Sequence, residues 1–201
     1  AFVLKYRLPS DSIMVDKSFG PLQDAEQAIY LIRKNAGTWN INPAKVGIMG
    51  FSAGGHLAST LTVHYRDIKI ENQEKFNLRP DFAILIYPVI SFLSSPHTGS
   101  LKNLIGVNGT PAQKEYFSNE LHTDAQTPIS FLVQANDDHT VPVENSILFN
   151  QALLSNKVPV EMHLYQAGGH GFGLHNKTTS DQWFDRLQNW MTANSLLDKG
   201  N

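Results

Sequence analysis

The sequence contains no cysteine. That excludes disulfides, thiolate metal sites and a cysteine nucleophile, while saying little about compartment. Nor does one sign of charge dominate: the formal net charge is -2, and Lys and Arg are scattered rather than striped. There is thus no electrostatic reason to expect nucleic acid. No apolar run is long enough to cross a bilayer as a helix; the longest, Phe82 to Ile90, is interrupted by Pro88, so no membrane partner is expected. Also missing are an internal repeat, a composition break marking a domain boundary, and a secretory leader. The first residues, Ala1-Phe2-Val3-Leu4, read like the middle of a protein, which is compatible with a leader removed or cut off upstream. With 41% hydrophobic and 17% charged residues over 201 positions, the chain suits a single domain spanning 1–201.

The most informative stretch present is Gly50-Phe51-Ser52-Ala53-Gly54-Gly55. An apolar run, Val46 to Met49, leads into it, and a helix-like run, His56 to Leu61, leads out. This is G-x-S-x-G in the strand-turn-helix context of a nucleophile elbow. So sharp a turn requires a strained backbone at Ser52. Glycines two before and two after it are expected to remove side chains that would collide as strand and helix fold back. A serine hydroxyl presented at a strand end, with a helix N-terminus behind it to favour negative charge, implies a serine hydrolase.

Around the elbow, Phe2 to Leu8 reads as a short strand. Gly20-Pro21 starts a helix with Leu22, Ala25, Ile29 and Ile32 on one face and Asp24 in its first turn. Ala53 to about Tyr65 reads as the elbow helix. Phe82 to Tyr87 and Ile129 to Val133 are continuous apolar runs, the signature of strands buried on both faces. The stretch between them, Ser91 to Pro128, reads as a functional excursion with one short helical piece near Ala112 to Phe117. Val143 to Leu154 reads as a helix and Val160 to Tyr165 as a strand. Thr179 to Ser195 is the last helix, capped by Thr179 and Gln182, with Trp183, Phe184, Leu187, Trp190 and Met191 as its buried stripe. Strands alternating with helices argue for an α/β fold, a mostly parallel sheet covered on both faces.

A serine hydroxyl needs a histidine to take its proton and a carboxylate to hold that histidine. Of eight histidines, His170 alone lies in a glycine-dense loop directly after a core strand, Gly168-Gly169-His170-Gly171-Phe172-Gly173. His56 and His163 read as packing or strand-face residues. The loop after Ile129 to Val133 carries Asp137-Asp138-His139. Spacing alone does not separate the two aspartates; Asp138 is preferred as the acid, and the unused one reads as a loop cap. A metal at this cluster lacks a second group of ligands at a clear spacing, so neither metal nor cofactor is expected. The order Ser, Asp, His is that of the α/β-hydrolase arrangement. The Ala53 N-H is expected to be one oxyanion-hole donor, and Tyr87, Pro88 and Phe172 are expected to line the substrate pocket.

These segments, together with Leu4-Lys5-Tyr6-Arg7-Leu8, Gly20-Pro21-Leu22-Gln23-Asp24, Leu85-Ile86-Tyr87-Pro88-Val89 and Val141-Pro142, resemble the α/β-hydrolase superfamily, and within it the bacterial acetyl-xylan-esterase-like carbohydrate esterases. The resemblance implies a three-layer α/β-hydrolase sandwich. It also implies Asp138, three residues before the Val of Val-Pro, as the acid, and a small acyl ester or acylated carbohydrate as substrate. It further favours a secreted or periplasmic location. The family's His-Gly-Gly-Gly-like oxyanion loop and the strands preceding Phe2 to Leu8 have no counterpart here. The expectation is therefore an N-terminally truncated fold with five of the usual eight strands. Its first strand shifts beside the elbow strand, or the gap is filled by an upstream segment or a second copy of the chain in a homo-oligomer. The rival readings are a prolyl-oligopeptidase-like serine peptidase and a catalytically silent binding module on the same fold.

Overall fold

Four apolar runs form strands, β1 (Ile48–Phe51), β2 (Phe82–Ile86), β3 (Ile129–Ala135) and β4 (Val160–Tyr165), in a computed structural model that describes residues 1–197. They lie side by side in chain order and all parallel, with Met49 beside Ile84, Ile84 beside Phe131 and Leu132 beside Met162. Parallel neighbours require crossovers, and helices supply them. α1 (Gly20–Lys34) precedes the sheet, and α2 (Ala53–Val63) links β1 to β2. α3 (Thr98–Ile105), α4 (Pro111–Tyr116) and a 3-10 turn (Asn119–His122) lie between β2 and β3. α5 (Glu144–Ser155) links β3 to β4, and α6 (Trp183–Ala193) follows the sheet.

Alternation along the strands sorts the core into two faces. Ala83, Leu85 and Leu132 meet Ala58 and Val63 of α2 and Phe149 and Leu153 of α5. Phe82, Ile84, Ile86, Phe131 and Val133 meet Trp183, Leu187 and Trp190 of α6. The result is helix, sheet, helix, the three-layer arrangement expected for continuously apolar parallel strands. Because all strands run the same way, their C-terminal ends share one edge of the sheet. Ser52, Tyr87, the Asp137-Asp138 loop and the His170 loop all emerge there.

Five expectations are corrected. Phe2 to Leu8 is not a strand and does not pair with β1, so the sheet has four strands and Met49 and Phe51 on its edge are 39% and 36% exposed. The reason lies in Arg7: its backbone N-H donates to Asp24 Oδ2 at 2.7 Å and its guanidinium pairs with the same carboxylate, so the segment is strapped to α1 instead of a ladder. Asp24 is consequently an ion-pair partner rather than a first-turn residue interacting with the helix dipole. The excursion 91–128 holds α3 as well as α4; α3 escapes a sequence reading because its N-cap is His97 rather than Ser, Thr, Asp or Asn. The final helix begins at Trp183, since the Thr179 hydroxyl accepts the Asp181 N-H and no capping box forms. Phe184 falls off its buried stripe and is half exposed.

Candidate active site

β1 ends in the turn that carries Ser52. The serine has φ 52° and ψ -120°, a left-handed backbone that costs a non-glycine residue about 1–3 kcal/mol. The turn is held from both sides: the Ser52 N-H donates to Ile86 O at 3.0 Å, while Ser52 O accepts from His56 N at 3.1 Å and Val89 N at 3.2 Å. Gly50 is required here, because a Cβ on it would run into the Gly54 carbonyl. The expectation for Gly54 is corrected: a Cβ there would meet nothing closer than Tyr6 Oη at 3.9 Å. The second tight approach belongs to Gly55, whose Cβ would lie 2.8 Å from Pro88 Cβ.

Ser52 Oγ lies 2.8 Å from His170 Nε2, and His170 Nδ1 lies 2.7 Å from Asp138 Oδ2. The histidine is brought back over the serine by its loop, in which Gly169 and Gly171, on either side of it, take left-handed φ of 61° and 79°. The Asp138 side chain is wholly buried. Its Oδ1 accepts the N-H groups of Thr140 and Val141 at 3.0 and 2.9 Å, so the carboxylate is desolvated but compensated. Asp137 accepts the Gly169 N-H at 2.8 Å, tying the acid loop to the histidine loop a second time.

Behind Asp138 runs a polar line that the sequence reading does not find. Ser146 Oγ donates to Gln134 Oε1 at 2.6 Å. Gln134 Nε2 donates to Val141 O at 2.7 Å and reaches Asp138 Oδ2 at 3.3 Å. Asn145 accepts the N-H groups of Ile90 and Ser91 and donates to Ser95 O and Pro142 O, joining the loop after β2 to the acid loop. All three side chains are buried. The available signal is a glutamine directly after the apolar Phe131-Leu132-Val133 of a core strand, which burial tolerates only when hydrogen-bonded.

Ala53 is the first residue of α2, where no intrahelical carbonyl can take its N-H, so that donor is open to a ligand. A largely apolar cleft of about 140 Å³ has Ala53 in its lining beside Tyr6, Leu22, His56, Phe92 and Leu104, with Ser100 among its polar groups. Burial pushes His56 down to about 4, and its Nε2 pairs with Phe117 O at 2.9 Å; it is a neutral wall residue. Tyr87, Pro88 and Phe172 do not line this cleft. Tyr87 is buried beneath the histidine loop, its ring edge-on to His170 and to Phe172 at 4.9 Å each and its hydroxyl accepting the Gly173 N-H at 3.2 Å. Pro88 is buried against Gly55. The indole N-H of Trp183 donates to Gly173 O, anchoring the far end of the same loop. Among the described residues, no group of three or more His, Cys, Asp or Glu is arranged to hold a metal ion.

Comparison with known proteins places this geometry in a family. The BD-FAE family model matches residues 2–153. Endo-1,4-beta-xylanase B of Butyrivibrio fibrisolvens is 40% identical over 186 residues, which cover 91% of this chain and 29% of that protein. Acetylxylan esterase of Xylanibacter ruminicola is 36% identical over 198 residues, 96% of this chain and 38% of that protein. The chain thus spans about a third of the length of the curated relatives it matches. A crystal structure of an acetyl ester-xyloside bifunctional hydrolase from Caldicellulosiruptor lactoaceticus superposes with a TM-score of 0.88 at 37% identity, covering 96% of this chain and 71% of that one.

Proposed function

This chain belongs to the BD-FAE family within the α/β-hydrolase superfamily, and from that premise we propose that it is a serine carboxylesterase removing small, acetyl-type acyl groups from carbohydrate such as acetylated xylan. The observation that carries the reading is the continuous hydrogen-bonded line from Ser52 Oγ through His170 to the buried Asp138 carboxylate. In the proposed mechanism, Ser52 Oγ attacks the ester carbonyl as His170 Nε2 takes its proton. Asp138 keeps the imidazole proton on Nδ1 and stabilises the cation that forms. The Ala53 N-H, at the positive end of α2, donates to the carbonyl oxygen as it becomes an oxyanion. His170 then returns the proton to the departing sugar oxygen, leaving an acyl group on Ser52. Water, deprotonated by the same histidine, attacks the acyl-enzyme and restores the serine. The esterase and hydrolase names of the relatives support the substrate class, and no step calls for a cofactor.

The test is hydrolysis of p-nitrophenyl acetate by this chain beside Ser52→Ala. Removal of the nucleophile is expected to lower kcat by about 10⁴-fold or more, to the rate of buffer. Equal rates from both proteins would overturn the hydrolase reading and favour a silent module.

A further inference from the structure

Gln134 is a polar side chain in a place where the sheet has no use for one. It lies in β3 beside Leu164 of β4, and its fully buried side chain reaches toward α5. An amide there costs free energy unless its polar atoms are bonded, and an aliphatic side chain would carry no such cost. The reason for the amide therefore lies in its partners.

Those partners fix which way the amide points. Val141 O, at 2.7 Å, has only lone pairs to offer, so it faces the Nε2 hydrogens, and Asp138 Oδ2 lies 3.3 Å from the same nitrogen. The Ser146 hydroxyl, at 2.6 Å, then donates to Oε1. Both donor bonds go to the catalytic acid or to the residue that holds it.

Together they bracket the carboxylate. Asp138 Oδ1 accepts the N-H groups of Thr140 and Val141, and Oδ2 accepts from His170 Nδ1 at 2.7 Å. Gln134 is the second donor to Oδ2 and, by holding Val141 O, it also fixes the residue whose N-H meets Oδ1. The carboxylate thus has a donor for each of its lone pairs, and its complete burial keeps bulk water from replacing any of them. A carboxylate that turned about its Cβ–Cγ bond would carry Oδ2 out of line with Nδ1, and His170 would lose its tautomer and its aim at Ser52.

We propose that Gln134 is a positioning residue for catalysis: it locks the plane of the Asp138 carboxylate so that Oδ2 stays on His170 Nδ1, and Ser146, reaching from α5, locks Gln134 in turn. The line of hydrogen bonds that starts at Ser52 Oγ therefore continues past the acid to α5. The proposal rests on the esterase reading and adds what holds the acid in place.

The test is a double-mutant cycle on p-nitrophenyl acetate, with each protein first shown to be folded at the assay temperature by circular dichroism. Gln134→Met keeps the length of the side chain and removes its amide. It is expected to lower kcat/KM by about ten- to thirtyfold, in the range of a hydrogen bond to a charged group. In the Asp138→Asn background, where the carboxylate is already gone, the same change is expected to alter the rate by less than about twofold. Ser146→Ala is a milder probe that removes only the anchor on Oε1, and a loss of about two- to fivefold is expected, again vanishing beside Asp138→Asn. Ser130→Ala deletes a buried hydroxyl of the same strand that bonds only Pro128 O, and it is expected to leave the rate unchanged. A merely structural role predicts an unchanged rate per folded protein, or the same loss in both backgrounds, and either result overturns the assignment. Should Gln134→Met fail to fold, the cycle of Ser146→Ala with Asp138→Asn decides by the same criterion. A wild-type chain without Ser52-dependent turnover overturns the esterase reading and this role with it.

Discussion

Asp137 and Asp138 are adjacent carboxylates that bond neighbouring residues of one loop, and the difference in partner gives them different work. Asp138 is buried and meets His170 Nδ1, so converting it to an amide removes the negative charge that stabilises the imidazolium. Asp138→Asn is expected to reduce kcat on p-nitrophenyl acetate by about 10³–10⁴-fold. Asp137 makes one contact to the Gly169 N-H, so Asp137→Ala is expected to cost less than about tenfold, as the histidine loop loses one tether. Steady-state rates of the two variants decide the matter, and a larger loss in Asp137→Ala would reverse the assignment. Choosing between these neighbours was beyond periodicity, because which way a loop side chain faces depends on partners far away in sequence: residue 170 for one aspartate and residue 169 for the other.

The strand-turn-helix unit around Ser52 was legible because its constraints are local. Its glycines nevertheless are not equivalent. Gly50, two residues before the serine, abuts the backbone of α2, whereas a Cβ at position 54 would make only an ordinary contact with Tyr6 Oη. Gly50→Ala is expected to destabilise by several kcal/mol, on the order of 3, or to prevent folding, since backbone must move to admit the methyl group. Gly54→Ala, inside a helix, is expected to be neutral or to stabilise by about 0.5–1 kcal/mol through reduced freedom of the unfolded chain. Urea midpoints of both variants test this, and equal losses would show that α2 cannot tolerate a methyl at either place. At the same scale, β2 and β3 were readable as doubly covered strands, while α3 was not, because its cap is a histidine.

For the molecule as a whole, three buried groups set opposing dependences of stability on pH. Burial raises Glu26 to about 7, although its carboxylate accepts the Lys69 N-H at 2.9 Å. The folded state thus holds the Glu26 proton more tightly than the unfolded chain does. That contribution is full below about 4.5 and lost as pH rises to about 7. Burial lowers His56 and His64 to about 4, so their contribution is full above about 6.5 and lost as pH falls to about 4. Two histidines outweigh one carboxyl across the shared range, so these groups together place maximal stability near pH 6.5. Glu26→Gln keeps an acceptor for Lys69 and has nothing to titrate. It is expected to gain up to about 3 kcal/mol over wild type at pH 8 and little at pH 4.5. Denaturation midpoints at the two pH values check it; the same difference at both would show that Glu26 is ionised throughout.

The sequence by itself determined the parallel α/β class, the elbow with Ser52, the candidate His170 and the Asp137-Asp138 pair, from which only the family resemblance singled out Asp138, because apolar runs, glycine spacing and chain order report constraints between near neighbours. Only the tertiary structure decided what the amino-terminal segment does. Phe2 to Leu8 has the composition of a strand, but Arg7 finds Asp24 across α1 and the backbone goes with it. It also decided the polar line through Gln134 and Ser146 and the place of Tyr87 beneath the histidine loop. Each of these depends on long-range packing that brings separate loops to one edge of the sheet, and no local pattern encodes which side chains will meet there.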